Sequence, residues 1–323
     1  MENYKLIKIN FIFFIMIISL FNYNNRLLKK SKKNEKNINI CICTIGKKEN
    51  KYIREFVEYY VNYGVDKIFL YDNNDKEGER FEDVLNDFIK NKFVEILNWR
   101  GRKREQLNVF KHCYNNNFKK FDWLIFYDLD EYIYLRNYTN IKDFLKEKKF
   151  NDCQIIYLNW IIHTDNNLIH YYNETLHKRF PILEPKARKN ITFFSPVKSI
   201  LKGHIPNISI NCLHKLNSKM KACNGFGLKP KLLSYEMEAD STYYYIDHFY
   251  FKSLEEFIDK LNKGNARTYI DRGIDFLRIN RYFTMNEINI YKLKYLENNT
   301  KINISLFKNR LKYISKKSQN NSF

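Results

Sequence analysis

The sequence predicts an α/β domain: a mostly parallel central sheet with helices on both faces. Two observations carry this. Between residues 39 and 127, short apolar runs alternate with stretches whose apolar residues recur at helical spacing. The last of these runs leads straight into Asp128-Leu129-Asp130-Glu131. That is the carboxyl end of a strand, where open parallel sheets bind their ligands.

The elements follow in order. Asn39–Ile45 (NICICTI) reads as a buried strand. Lys51–Tyr63 carries apolar residues at Ile53, Phe56, Val57 and Tyr60, a helical stripe that Gly64 can cap. Lys67–Tyr71 is a second strand, ended by the turn formers Asp72-Asn73-Asn74-Asp75. Phe81–Asn91 is helical, Phe93–Leu97 a third strand, Glu105–Asn117 helical again, and Trp123–Tyr127 (WLIFY) a fourth strand. Beyond about residue 150 the alternation loosens. Gln154–Ile162 reads as a strand, and residues 163–245 are irregular and hold most of the prolines. Ser253-x-x-Glu256 is a capping box that opens a helix ending near Gly264. The final forty residues are basic and weakly periodic.

With 323 residues and 44% hydrophobic content, the chain can bury a sizeable core, which excludes wholesale disorder. Its net charge of +20 reads as a Lys-rich solvated surface whose positive field would suit a diphosphate ligand. No nucleic-acid-binding signature occurs, so no nucleic acid partner is expected. The six cysteines form no C-x-x-C pair, which argues against a structural zinc site. Cys212 and Cys223 could pair in an oxidising compartment.

Phe11–Phe21 is apolar throughout its length except for Ser19. As a helix it spans about 16 Å against a hydrocarbon core of about 30 Å. Extension to Leu6–Tyr23 reaches about 27 Å and includes Lys8 and Asn10, which can snorkel. A single-pass membrane anchor is the leading reading; a signal peptide and a hydrophobic arm are the alternatives. No small-residue cleavage site follows it. The side of the membrane is ambiguous. Arg26 and Lys29–Lys33 favour a cytoplasmic domain, whereas the sequons at Asn137, Asn173 and Asn190 favour a lumenal, Golgi-type one.

The chemistry centres on Asp128 and Asp130. In an extended segment residues i and i+2 point the same way, so both carboxylates would meet one cation while Leu129 faces the core. A divalent ion removes their mutual repulsion, and such oxygens suit Mg²⁺ or Mn²⁺ holding a diphosphate. His248, just ahead of the capped helix, is a third ligand, and an imidazole favours Mn²⁺. Thr44 and Glu49 in the first strand-to-helix turn, and Asp72 and Asn73 after the second strand, are expected to receive the nucleoside. Arg104 and Gln106, at a helix start, would face the phosphates. Asp165, near His163, is the candidate general base.

These residues carry a resemblance. Lys48-Glu49-Asn50-x-Tyr52-Ile53-x-Glu55-Phe56, Gly64-Val65-Asp66 and Tyr71-Asp72-Asn73-Asn74 are followed by Gln106…Cys113 and Trp123-x-x-x-x-Asp128-x-Asp130-Glu131. Then comes His248-Phe-Tyr-x-Lys252-Ser253-x-Glu255-Glu256-Phe257…Lys260…Gly264. The set resembles glycosyltransferase family 92 and its GT-A relatives, over about 38–135 and again over 245–265. The chain departs from that pattern at Phe56, where the family usually has Trp, and in the order Lys-Glu-Asn at 48–50. The resemblance implies a GT-A fold and an inverting transferase. It would use a nucleotide sugar, often UDP-galactose, with Mn²⁺ at Asp128 and Asp130, and a glycan or other hydroxyl acceptor. The expected organisation is an anchor and basic tether over 1–37 and a GT-A domain over 38–285, with the donor half at 38–135 and the acceptor half at 150–285. A basic tail follows over 286–323. The alternative is an inactive nucleotide-sugar-binding protein on the same fold.

Overall fold

The computed structural model describes residues 37–183, 197–208, 210, 220–229, 243–263 and 276–320. Among these, no helix is long and apolar enough to cross a membrane. The N-terminal apolar segment lies outside the described residues, as do Gly264 and Cys212.

The first half follows the alternation in the sequence. In order come β1 (Ile40–Gly46), α1 (Asn50–Asn62), β2 (Lys67–Asp72), α2 (Glu82–Lys90), β3 (Val94–Asn98), α3 (Gln106–Asn117) and β4 (Trp123–Phe126). Strands β3-β2-β1-β4 lie side by side and parallel. Alternation along β1 sends Cys41 and Cys43 to the face covered by α3, where they join Val109, Phe110 and Cys113 in one buried cluster. Cys43 and Cys113 form a disulfide.

The second half adds β5 (Glu131–Leu135), α4 (Ile141–Leu145), β6 (Ile155–Ile162), α5 (Leu176–Arg179), β7 (Val197–Lys202), β8 (Ala222–Asn224) and β9 (Tyr244–His248). These continue the sheet as β4-β7-β6-β9-β5, with β8 on β6. The pairs β4–β7, β6–β7 and β5–β9 are antiparallel, so the sheet is parallel in its first half and mixed in its second. The stretch read as irregular, 163–245, thus supplies two strands, β7 and β8, and the start of a third, β9. Their pairing is long-range, and short runs such as Ala222–Asn224 carry too little periodicity to be read locally. Cys223 of β8 is bonded to Cys153, not to Cys212.

Helix α6 (Leu254–Asn262) starts at the expected capping box, with the Ser253 hydroxyl and Glu256 carboxylate engaging each other's backbone N–H. It is followed by α7 (Phe276–Met285), α8 (Ile290–Asn299) and α9 (Ser305–Asn320). The basic tail expected over 286–323 therefore carries two helices, the second running to residue 320. Leu293, Leu296, Ile304 and Phe307 are buried with Phe257, Leu261 and Tyr282 in one core. Sparse but well-placed apolar residues suffice when a partner helix covers them.

One close approach matters for the site. A Cβ at Gly46, the last residue of β1, would stand 2.7 Å from both Leu129 and Phe81 side chains. Only glycine lets β1 pass beneath the loop that carries Leu129.

Candidate functional site

Strand β4 stops at Phe126, and the acidic residues follow as a turn rather than an extended run. The Glu131 N–H donates to the Asp128 carbonyl at 3.1 Å, and the Asp128 N–H donates to Glu131 Oε2 at 3.0 Å. Leu129 faces the core as expected, but the turn spreads the carboxylates. Asp128 accepts from Gln106 Nε2 at 2.7 Å and from Lys198 Nζ at 2.8 Å. Asp130 accepts from Lys260 Nζ at 2.7 Å and faces His248 Nε2 at 3.6 Å. Strands β5 and β9 pair with Glu131 directly opposite His248, so this sheet register brings in the imidazole.

Asp130, Glu131 and His248 offer ligand atoms that all lie within 4.8 Å of one another. All three residues are buried, and Glu131 Oε1 and His248 Nδ1 have no hydrogen-bond partner. Orphaned polar atoms this deep are costly, and a divalent cation would satisfy them. The donor set of two carboxylates and one imidazole fits Mn²⁺.

The electrostatics agree. Burial pushes the His248 ring down, which keeps it neutral and able to ligate. Burial would raise Asp130, but the Lys260 ammonium and His248 outweigh it and hold the carboxyl well below its ordinary range. Glu131 goes the other way: burial lifts it, Lys198 offsets only part, and the nearby charges of Asp128 and Asp130 add to the rise. Lys198 stays charged, since Asp128 and Glu131 overcome its burial.

The remaining expected site residues divide. Gln106 is brought to Asp128 and orients it. Glu49 lies near the cluster through lysines: it pairs with Lys263 at 2.7 Å and sits 3.8 Å from Lys252, while Lys260 of the same helix holds Asp130. Thr44 is fully buried on β1, its hydroxyl without a partner. Arg104 has a left-handed backbone, φ 64°, in the loop ahead of α3.

Asp72 and Asn73 brace that region instead of opening to it. Asp72 accepts from Arg100 at 2.6 Å and from the Asn74 N–H. Asn73 donates to the carbonyls of Trp99 and Arg102. Arg100 also donates to the carbonyls of Asp75, Gly78 and Glu79, so the guanidinium folds the post-β2 loop around itself. These bonds engage the Asp72 carboxylate and the Asn73 amide nitrogen within the loop.

Asp165 makes none of its contacts with the acidic turn. It is buried against Lys292, 2.5 Å away, and the Tyr282 hydroxyl, and its N–H donates to Asn286. Its charge is matched by Lys292 within the core of the C-terminal helices.

Sequence reasoning missed Lys198 and, though it named Glu131 in the acidic motif, gave it no role of its own. The signal for Lys198 was a charged residue inside VKSIL, an otherwise apolar strand. Lys252 and Lys260 belong to the second block of the resemblance but carried no role.

A second network lies on the opposite face of β9, where alternation sends Asp247. Its carboxylate accepts from His163 Nε2 at 2.6 Å and lies 3.7 Å from His177. His177 in turn lies 3.8 Å from Glu55 of α1.

Comparison with known proteins gives a consistent assignment at the sequence level. The family model of glycosyltransferase family 92 matches residues 36–273. A family 92 protein of Oryza sativa subsp. japonica is 29% identical over 108 residues, covering 33% of this chain and 18% of that protein. One of Ricinus communis is 29% identical over 117 residues, covering 36% and 21%, and one of Arabidopsis thaliana is 31% identical over 107 residues, covering 33% and 18%. The matched segments thus span about a fifth of these relatives' length. Among solved structures, S. aureus TarS 1-349 in complex with UDP aligns at TM-score 0.29 and 12% identity, over 39% of this chain and 36% of that one.

Proposed function

This chain belongs to glycosyltransferase family 92, and from that premise we propose that it moves a sugar from a nucleotide-sugar donor to a hydroxyl of a glycan acceptor. Transfer proceeds with inversion, and UDP-galactose is the first donor to test. The observation that carries the reading is the buried convergence of Asp130, Glu131 and His248 beyond the end of β4. A divalent cation held by these three, Mn²⁺ before Mg²⁺, would supply Lewis-acid stabilisation of the departing diphosphate.

The chain's own groups do the rest. Gln106 fixes Asp128 at the lip of the turn. Lys260 of α6 and Lys252 just ahead of it bring positive charge beside Asp130, favouring a phosphate-bearing ligand. Lys252 is held over the Tyr52 ring, 3.7 Å from its centroid, which orients the ammonium.

The same reading places the enzyme in a membrane through its N-terminal segment, with the catalytic domain on the oxidising, lumenal side. Two buried disulfides support that side, as do the exposed sequons at Asn137 and Asn173.

The test is release of UDP from UDP-galactose with and without Mn²⁺. Activity should need the metal, and Asp130→Ala and His248→Ala should each lower it at least about 100-fold while the fold persists. UDP binding with no turnover of any nucleotide sugar would instead mark a silent binding protein.

A further inference from the structure

Lys198 is the charge in this site with the least freedom. It sits on β7, two residues before Ile200, which pairs with Ile125 of β4; because the pair is antiparallel, the strand carries the lysine past the end of β4 to the level of the acidic turn. The side chain is fully buried, with Nζ 2.8 Å from Asp128 Oδ2 and 3.1 Å from Glu131 Oε2. The other oxygen of Asp128 is taken by Gln106. Both acceptor atoms of Asp128 are therefore committed to groups on rigid elements.

Glu131 is divided. Its Oε2 faces Lys198 and the Asp128 N–H, while its Oε1 is buried with no partner. Lys260 also reaches the turn, at Asp130, but it comes from the partly exposed side of α6 and can swing to water. Lys198 cannot, because leaving its carboxylates would strand a buried ammonium.

Resting on the metal reading above, we propose that Lys198 is a resident counter-ion that splits the acidic turn. It withholds Asp128 from the cation, shares Glu131 with it, and leaves the ion to Asp130, Glu131 and His248. Two consequences follow from charge and coordination. A fixed positive charge beside the ion weakens its binding to the protein alone. A ligand set without Asp128 leaves coordination positions open, as a site that must also accept diphosphate oxygens requires. Lys198 is thus a positioning residue that makes metal occupancy depend on the donor.

The test is Mn²⁺ binding to the full-length chain, by electron paramagnetic resonance of free Mn²⁺, without any nucleotide sugar. In the wild-type background Asp128→Asn should change the affinity by less than about threefold, whereas Asp130→Asn, Glu131→Gln and His248→Gln should each weaken it by at least about tenfold. Lys198→Met should tighten Mn²⁺ binding by at least about tenfold, and adding Asp128→Asn should then abolish the gain. If Asp128→Asn weakens wild-type binding as much as Asp130→Asn does, Asp128 is a ligand and the inference is overturned. Unchanged or weaker binding in a folded Lys198→Met protein overturns it as well. If Lys198→Met does not fold, the comparison among the carboxylate variants still decides. No Mn²⁺ binding by the wild-type chain, with or without donor, would defeat the metal reading itself and this inference with it.

Discussion

His177 shows how a single ring ties the helical face to the strand that bears His248. Burial alone would discharge it, yet the carboxylates of Asp247 and Glu55 more than compensate and lift it to about 9. The sign follows directly. A folded value above the unfolded one, near 6.5, means the cation stabilises the fold fully below pH 6.5. That contribution is lost as pH rises through about 9. Replacing His177 with Gln should flatten part of the fall in Tm between pH 6.5 and 9.5; an identical slope in both proteins would remove the residue from this account. Other residues show the limits of reading a sequence. The place of Asp130 just past an apolar strand, and of His248 at the end of one, was legible from the apolar runs that precede them. The pairing of Asp72 was not legible because it depends on Arg100, 28 residues away, and nothing local announces that guanidinium. The partners of Asp165 were hidden for the same reason: Lys292 and Tyr282 lie more than a hundred residues downstream.

Among the elements, α5 and α6 are joined by a buried fork. Arg179 donates from Nη1 to Glu256 Oε2 at 2.7 Å and from Nη2 to Oε1 at 2.9 Å, and the Tyr52 hydroxyl adds a third bond to the same carboxylate. Burial works to raise Glu256, but Arg179, Ser253 and Tyr52 hold it at about 2. Breaking one side of such a pair leaves a buried charge alone, so Arg179→Met should cost about 3–5 kcal/mol in a urea denaturation series. A loss under about 1 kcal/mol would mean that Glu256 finds other partners. The fork matters to the site because α6 carries Lys260, and Lys252 immediately precedes its cap. The capping box of α6 was legible since it is a local code, whereas the partner that neutralises it was not. The first-half elements were legible almost to their ends because parallel strands and covering helices write strong periods. Strands β7 and β8 were not, as they are defined by pairing rather than pattern.

At the scale of the whole molecule, two covalent ties among the described residues close loops of equal sequence separation, 70 residues each. In the chain-entropy picture each removes about 4 kcal/mol of unfolded-state freedom. The Cys43→Ala/Cys113→Ala variant should therefore melt well below the wild type, with α3 losing its tie to β1 and Asp128 its fixed Gln106 partner. Equal melting temperatures under reducing and oxidising conditions would show that the bonds carry no stability. The two loops also do not interleave: the first ends at Cys113 and the second opens at Cys153. A chain made from its N-terminus can therefore seal the half that holds β1, α3 and the acidic turn's support before the second pair exists. Order of synthesis thus favours the native pairing, because the partners of the first bond are both made before either partner of the second.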